Sequence, residues 1–314
     1  MMKKSTKTYL VTGGNGFIGR SIVNLLIQLN QNVIIFDNNF RSYNRFKNDK
    51  IIKYIKGDIR NLKSVNNAAK NVDTIIHLAY INGTKYFYTN PKLILDVAVR
   101  GILNIIDASK KNNVKELFLA SSSEVYSTPK IIPTPEDIEL KIEDILNPRF
   151  SYGGGKILSE LIALHYSENF FKRLIIFRPH NVYGPDMGNE HVIPELVNKI
   201  KNAKKTIKIQ GSGLETRSFI YIEDFQNAFK ILLKKGKDKN IYNIGTNDEI
   251  TIQKLLNKIL KICHKKLKIV KSNKLKGSVK RRQPNIKKLK TIGFCQKFSI
   301  DDGLNDTVKW YLNK

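Results

Sequence analysis

The feature that most constrains this chain is a glycine turn near its start. A short apolar run, Tyr9–Thr12, leads into Gly13-Gly14-Asn15-Gly16-Phe17-Ile18-Gly19, and an amphipathic stretch follows over Ile18–Leu29. Glycines at three-residue spacing, placed where a strand ends and a helix begins, make a tight turn without side chains. Backbone N–H groups and the helix N-terminus can then approach a pyrophosphate closely. The turn alone is weak evidence, and its setting between strand and helix is what gives it meaning.

The surroundings agree. Short apolar runs at Tyr9–Thr12, Asn32–Asp37, Ile51–Lys56, Thr74–Leu78, Glu116–Ala120 and Leu174–Arg178 are rich in Val, Ile, Leu and Phe, as strands buried on both faces should be. Helical stretches are expected between them at Ile18–Leu29, Leu62–Lys70, Lys92–Asn112 and Lys156–Phe170. This alternation predicts an α/β fold with a Rossmann-type, doubly wound parallel sheet. After Pro179 the order changes, and turn signals cluster at Gly184-Pro185, Gly188-Asn189 and Gly211-Ser212-Gly213. A chain of 314 residues has room for two domains. We expect a dinucleotide-binding domain over 1–180, to which about 219–235 returns, and a smaller C-terminal α/β substrate lobe over 181–314.

The second strand ends at Asp37. An acid there can accept hydrogen bonds from adenosine ribose hydroxyls and repels a 2′-phosphate, which favours NAD over NADP. Arg41, four residues on, argues the other way. Asp58, after Gly57 at the end of the third strand, is placed to meet the adenine edge.

Two further segments carry chemistry. The fifth strand runs into Ser121-Ser122-Ser123-Glu124-Val125-Tyr126, and Tyr152-Gly153-Gly154-Gly155-Lys156 follows thirty residues later. Tyr152 and Lys156, at i and i+4, share one helix face. An ammonium beside a phenol is expected to lower the tyrosine pKa from about 10 towards neutrality. With a serine hydroxyl on the same substrate oxygen, such a pair removes a proton from an alcohol while hydride leaves its carbon for a nicotinamide.

In combination the motifs resemble the extended short-chain dehydrogenases/reductases that act on nucleotide-sugars. GGNGFIG at 13–19, Asp37-Asn38, Gly57-Asp58, His77-Leu78-Ala79, Asn90-Pro91, SSSEVY at 121–126, YGGGK at 152–156, RPHNVYGP at 178–185 and ETRSFIYIED at 215–224 carry the resemblance over nearly the whole chain. It implies Tyr152 as catalytic base, Lys156 as its partner on the nicotinamide ribose, and Ser122 as the catalytic hydroxyl. It implies cofactor contacts from Gly13, Gly16, Phe17, Ile18, Gly19, Asp37, Asn38, Asp58, Ile59, Leu78, Ala79 and Lys85. Asn181 and Arg217 resemble residues that grip a substrate diphosphate, and Arg281 or Arg282 a late arginine on the nucleotide. A homodimer through a four-helix bundle, built from Lys92–Asn112 and Lys156–Phe170, is implied as well. The sequence departs from the pattern at Tyr80 (often alanine), Ala98 (asparagine), Ser127 (glycine) and Asn285 (aspartate).

Members of such a family share a first step, oxidation of a sugar C4 hydroxyl to a 4-keto-sugar. Epimerases return hydride to the other face, 4,6-dehydratases remove a C5 proton and expel the C6 hydroxyl, and uronate decarboxylases lose CO₂. Glu124 leans the reading towards dehydratase or decarboxylase, because those enzymes carry a glutamate there and typical 4-epimerases do not. Ser123 stands where many dehydratases have an aspartate. The alternative is a 4-epimerase; a silent NAD-binding regulator would need neither Tyr152 nor Lys156.

The formal net charge of +28 invites a nucleic-acid reading. Lys, Asn and Ile together supply 118 of 314 residues, and all three have A/T-rich codons; Arg, the usual base reader, numbers 11. Lys254–Lys297 holds 16 Lys or Arg and no acid, which reads as a lysine-drifted, solvated lobe. The resemblance implies a nucleoside-diphosphate sugar as partner, and neither nucleic acid nor membrane is expected. The five histidines show no metal-ligand spacing, though His180 and His191 flank a motif and are candidates to line the sugar pocket. No run of about 18 apolar residues occurs, the start lacks the apolar core of a secretory leader, and there are two cysteines. A reducing, cytoplasmic setting is expected.

Overall fold

The structure is a computed structural model that describes residues 6–41, 46–272, 277 and 279–314. The N-terminal half comprises β1 (Thr8–Thr12), α1 (Phe17–Gln28), β2 (Asn32–Asp37), β3 (Ile52–Lys56), α2 (Leu62–Ala68) and β4 (Thr74–His77), then α3 (Thr84–Thr89), α4 (Pro91–Asn112), β5 (Glu116–Ala120), α5 (Phe150–Leu161) and β6 (Arg173–Pro179). There follow β7 (Val182–Tyr183), α6 (Val192–Asn202), β8 (Thr206–Gln210), β9 (Thr216–Arg217), β10 (Ile220–Tyr221), α7 (Ile222–Lys235) and β11 (Asn240–Ile244). The chain closes with β12 (Ile250–Thr251), α8 (Ile252–Ile262), β13 (Lys268–Ser272), β14 (Arg281–Arg282), α9 (Lys287–Thr291) and α10 (Ile300–Leu312).

Seven parallel strands form the central sheet in the order β11-β6-β5-β4-β1-β2-β3. Their near-continuous apolar sequences suit burial on both faces. One face packs under α1 and α7, where Ile22, Leu26, Phe225 and Phe229 meet Val11, Phe118 and Phe177. Phe177 and Phe229 lie edge to face at 5.3 Å, and truncating such a buried phenylalanine costs about 3–5 kcal/mol. The other face packs under α2, α4 and α5 through Val65, Ile102, Ile105 and Leu117. A third core gathers Ile193, Val197, Leu256, Leu304 and Val308 between α6, α8 and α10. Strand order reverses between β1 and β4, so their carboxyl ends splay apart and leave a crevice, the usual ligand position in open α/β sheets.

Two segments differ from the sequence expectation. Asn240–Ile244 pairs with β6 and is the seventh strand of the main sheet; five residues beyond a helix gave too short a pattern to read. The helix expected over Lys156–Phe170 begins six residues earlier, at Phe150, and ends in a π-helical turn over Ile162–Tyr166. Three consecutive glycines are poor helix formers, which hid the first turn. Packing explains them. A Cβ on Gly153 would lie 3.0 Å from the Glu124 carbonyl oxygen, and one on Gly155 would lie 2.8 Å from the Ala98 Cβ and run into the Tyr80 hydroxyl.

Candidate active site

A cavity of about 1470 Å³ opens at the strand ends between the sheet and the C-terminal lobe. Its floor is the glycine turn. Gly13 has φ +73°, and a Cβ there would lie 2.7 Å from the Ala79 nitrogen, so turn and post-β4 loop touch backbone to backbone. Gly19 lies directly against the Gly13 carbonyl and the Gly14 backbone. Gly16 caps α1 with no side chain, which leaves the first-turn N–H groups ahead of the helical ladder. Asp37 closes the turn from β2. Its carboxylate accepts from the Asn15 N–H at 3.0 Å and the Asn39 N–H at 2.8 Å. Burial raises its pKa, and those two hydrogen bonds oppose the rise. Asp58 is gripped by Arg60 at 2.8 Å, whose hydrogen bonds hold its carboxyl below the ordinary range. A glycine cradle too tight for side chains, open amides at a helix start and an acid at the second strand tip together fit a dinucleotide.

The structure brings the other sequence-predicted residues to the same cavity. Phe17, Ile18, Asn38, Ile59, Leu78, Ala79, Lys85, Ser122, Ser123, Glu124, Tyr152, Lys156, Asn181, Arg217 and Arg282 all line it. Arg281 does not. It turns outward and pairs with Glu249 at 2.9 Å, because adjacent residues of β14 face opposite ways. His191 lines the cavity, whereas His180 is fully buried behind it with Nε2 3.1 Å from the Asn243 side-chain oxygen.

Tyr152 and Lys156 lie one turn apart on α5, and both are buried. The electrostatics differ from the sequence expectation. Burial pushes the Tyr152 phenol up to about 12, against a hydrogen bond from Ser122. Burial likewise pulls Lys156 down to about 7, against the Glu160 carboxylate. The ammonium is spent on the Ala120 carbonyl, 2.7 Å away, and on the Tyr80 ring, 3.8 Å from its centroid. A phenol poised near neutrality by its lysine is thus not what the chain alone presents, because removal from water outweighs the Ser122 hydrogen bond and the more distant Arg41 and Arg282.

Glu124 lies in the first turn of a short 3-10 helix, Ser123–Tyr126, that follows β5. Arg282 donates to it at 2.5 Å, and Arg149 lies 3.6 Å from its other oxygen. Burial alone would raise the Glu124 pKa, but Arg282, Arg149 and Arg217 overcome it and hold the carboxyl down at about 2. Nε and Nη2 of Arg282 are buried with no hydrogen-bond partner among the described residues. Arg217 is braced by the Thr216 carbonyl at 2.7 Å and the Val279 carbonyl at 2.9 Å. Asn181 has φ +42° and donates to the Ser218 carbonyl at 2.8 Å. Behind the site, Arg178 binds both oxygens of Glu160 at 2.9 and 2.6 Å, and Ser121 donates to the same carboxylate.

Sequence reasoning missed Arg149, Tyr80 as a ring under Lys156, and Phe87, which stacks on Tyr152 at 4.7 Å. Arg149 stands three residues before Tyr152, one helical turn, and that spacing was the available signal. Phe87 lies on α3, a six-residue helix without periodicity enough to be read. Among the described residues, no three His, Cys, Asp or Glu side chains group as a metal site would require, and no helix is long and apolar enough to cross a membrane.

Fold and site together define a dinucleotide-binding enzyme of the Rossmann class, with a tyrosine–lysine pair at the crevice. The family is established by direct comparison. The model of the NAD dependent epimerase/dehydratase family matches residues 9–245, and this chain belongs to that family, whose cofactor is NAD. Its relatives include a dTDP-D-glucose 4,6-dehydratase of Dictyostelium discoideum, 30% identical over 81% of this chain. A putative UDP-glucose 4-epimerase of Methanocaldococcus jannaschii is 30% identical over 97% of this chain and 98% of its own length. Among solved structures, DesIV, a dTDP-glucose 4,6-dehydratase of Streptomyces venezuelae with NAD bound, superposes with a TM-score of 0.89 at 25% identity, covering 98% of this chain and 97% of that one. The chain spans 61% of the length of the Dictyostelium protein and 47% and 48% of two longer plant relatives.

Proposed function

We propose that this chain binds NAD and a nucleoside-diphosphate sugar and oxidises the sugar C4 hydroxyl transiently to a ketone. NAD, when bound, accepts the hydrogen and electron pair that leave C4. Gly13, Gly16, Phe17, Ile18 and Gly19 would hold its pyrophosphate, Asp37 and Asn38 its adenosine ribose, and Asp58 and Ile59 its adenine. Leu78, Ala79 and Lys85 would flank it, and Lys156 would hold the nicotinamide ribose. Tyr152 takes the C4–OH proton while Ser122 hydrogen-bonds the same oxygen. Asn181, Arg217 and Arg282 face the anionic end of the substrate. The core between α6, α8 and α10 is the nucleotide-sugar side. The NAD side takes in 1–180 together with α7, β11 and α9, which pack on or join the main sheet, so the expected lobe over 181–314 is interrupted by segments that return to the first domain.

The Glu124–Arg282 pair decides the fate of the ketone. With Arg282 bonded to one oxygen and Arg149 beside the other, the Glu124 carboxylate is engaged in ion pairs and is a weaker base for a C5 proton than a free glutamate. Guanidiniums at Arg149 and Arg282, two of the latter's nitrogens unpaired, instead suit a carboxylate at C6. We therefore favour a 4-keto-uronate that decarboxylates. The C5–C6 bond breaks, its electron pair passes through C5 to the C4 oxygen as an enolate, CO₂ leaves, and C5 takes a proton. A second reading, 4,6-dehydration with Glu124 freed from Arg282 as base, is supported by similarity to dTDP-glucose 4,6-dehydratases. Incubation with UDP-, GDP-, dTDP- and CDP-sugars and uronates in deuterated water, monitored by NMR, separates them. CO₂ release with deuterium at C5 is the expected result. Loss of water with deuterium at C5 selects the dehydratase, and inversion at C4 without label selects a 4-epimerase.

We also infer a homodimer through α4 and α5. Leu95, Leu158, Leu161 and Tyr166 leave 41%, 42%, 49% and 45% of their surface exposed on these helices, and a group of exposed apolar side chains on neighbouring helices suits a protein–protein contact. Leu158→Glu should turn a sedimenting dimer into monomer. Free thiols at Cys263 and Cys295 suit a cytoplasmic setting.

A further inference from the structure

Lys156 is a buried cation with few partners. Its ammonium has three donors, and the Ala120 carbonyl takes one. The carboxylate one turn along, Glu160, is already committed to Arg178 and Ser121. What lies against the ammonium is the face of Tyr80, 3.8 Å from Nζ to ring centroid. The same ring meets Tyr152 edge to face at 5.1 Å and 84°, while Phe87 stacks on Tyr152 at 24°. The Tyr80 hydroxyl is buried and makes no hydrogen bond among the described residues. It sits where a Cβ on Gly155 would be, beside the Ala98 methyl. The hydroxyl gains no hydrogen bond from this placement, whereas the ring gains the ammonium, and Gly155 leaves the room that the end of the Tyr80 side chain fills.

We propose that Tyr80 is a positioning residue whose π face keeps the Lys156 ammonium charged and fixed beside Tyr152. A desolvated ammonium over an aromatic face is held more strongly than an exposed one. The titratable groups around Lys156 are Tyr80 after β4, Tyr152 and Glu160 on α5, and His77 at the end of β4. His77 is neutral in this range, its pKa pulled down to about 3 by burial. Removing the Tyr80 ring therefore changes the surroundings of the lysine without adding or removing a charge.

The proposal rests on Tyr152 and Lys156 as the reacting pair, yet its main test needs no turnover. The enzyme is labelled with ¹³C at lysine Cε, and the Lys156 signal is assigned by its loss in Lys156→Met. It is then titrated by NMR with NAD present. Tyr80→Leu stays apolar and loses the π face, so the Lys156 midpoint should fall by about one pH unit. Tyr80→Phe keeps the face and should titrate like the parent. Fluorinated phenylalanines at position 80, which keep the shape and weaken the ring quadrupole, should lower the midpoint stepwise, and they serve if Tyr80→Leu does not fold. In turnover, Tyr80→Leu should lose about tenfold in kcat near neutral pH with KM little changed, and Tyr80→Phe should restore it. Equal midpoints in parent, Leu and fluorinated variants, or an equal fall in Phe and Leu, would overturn the proposal. Normal titrations in a protein that turns over no nucleotide-sugar would instead count against the functional reading alone.

Discussion

At the dinucleotide end of the cleft the chain presents backbone, and at the reacting end it presents side chains. The first is made by Gly13, Gly16 and Gly19 with Asp37, all within twenty-five residues, and its tightest approaches are Gly19 against the Gly13 carbonyl and Gly13 against the Ala79 backbone. The second is assembled from Tyr80, Phe87, Glu124, Arg149, Tyr152 and Arg282, brought together by four separate segments. A backbone site tolerates no added atoms, so it fails by steric overlap. A side-chain site fails by loss of one charge or one ring while its surroundings stay in place.

That contrast sets the order of expected effects. Tyr152→Phe keeps the stack on Phe87 and the edge of Tyr80 but loses the hydroxyl. Turnover should fall by about 10²–10⁴-fold, with NAD affinity, read by fluorescence or calorimetry, within a few-fold of the parent. Near-normal turnover would remove the phenol from the mechanism. Gly19→Ala attacks the other end. Its methyl meets the Gly13 carbonyl and Gly14 backbone, and overpacking of about 1–3 kcal/mol corresponds to roughly 5–150-fold weaker NAD. Saturating NAD should recover kcat. A loss of kcat that persists would show that the turn also shapes the reacting end.

The same contrast explains what the sequence revealed. The glycine turn, Asp37 and the Tyr152–Lys156 pair are local patterns, and a strand leading into a helix fixes their geometry within a few residues. The arginines are different. Nothing local says that β14 points Arg282 inward to Glu124 and Arg281 outward to Glu249, since this depends on β14 pairing with β9. The lowering of the tyrosine pKa expected from Lys156 failed for a related reason. The i, i+4 spacing was legible, but the degree of burial, which governs both pKa values, is a tertiary quantity. Tyr80 was visible as a departure from the family pattern, but its contact with Lys156 depends on how the loop after β4 packs against α5, which no local pattern shows.

The smallest effect predicted is on stability, and it sharpens the comparison because it reads the reacting end without substrate. Glu124 is held from its ordinary 4.5 down to about 2 in the folded protein. Between those values the unfolded chain binds the proton that the folded one refuses. The pair with Arg282 therefore contributes fully above pH 4.5, and its contribution is lost as pH falls towards 2. Glu124→Gln removes it at all pH values and leaves Arg282 without its carboxylate. The gap in denaturation midpoint between parent and variant should be widest near pH 6 and narrow steadily below pH 4.5. Asp37→Asn is the control at the other end. Burial raises its carboxyl in the folded state, so the folded chain holds that proton more readily than the unfolded one. Its ionisation therefore costs stability as pH rises, the opposite slope from Glu124. Parallel slopes in the two variants would mean that the arginine clamp on Glu124 does not form in solution, and the uronate reading would lose its support.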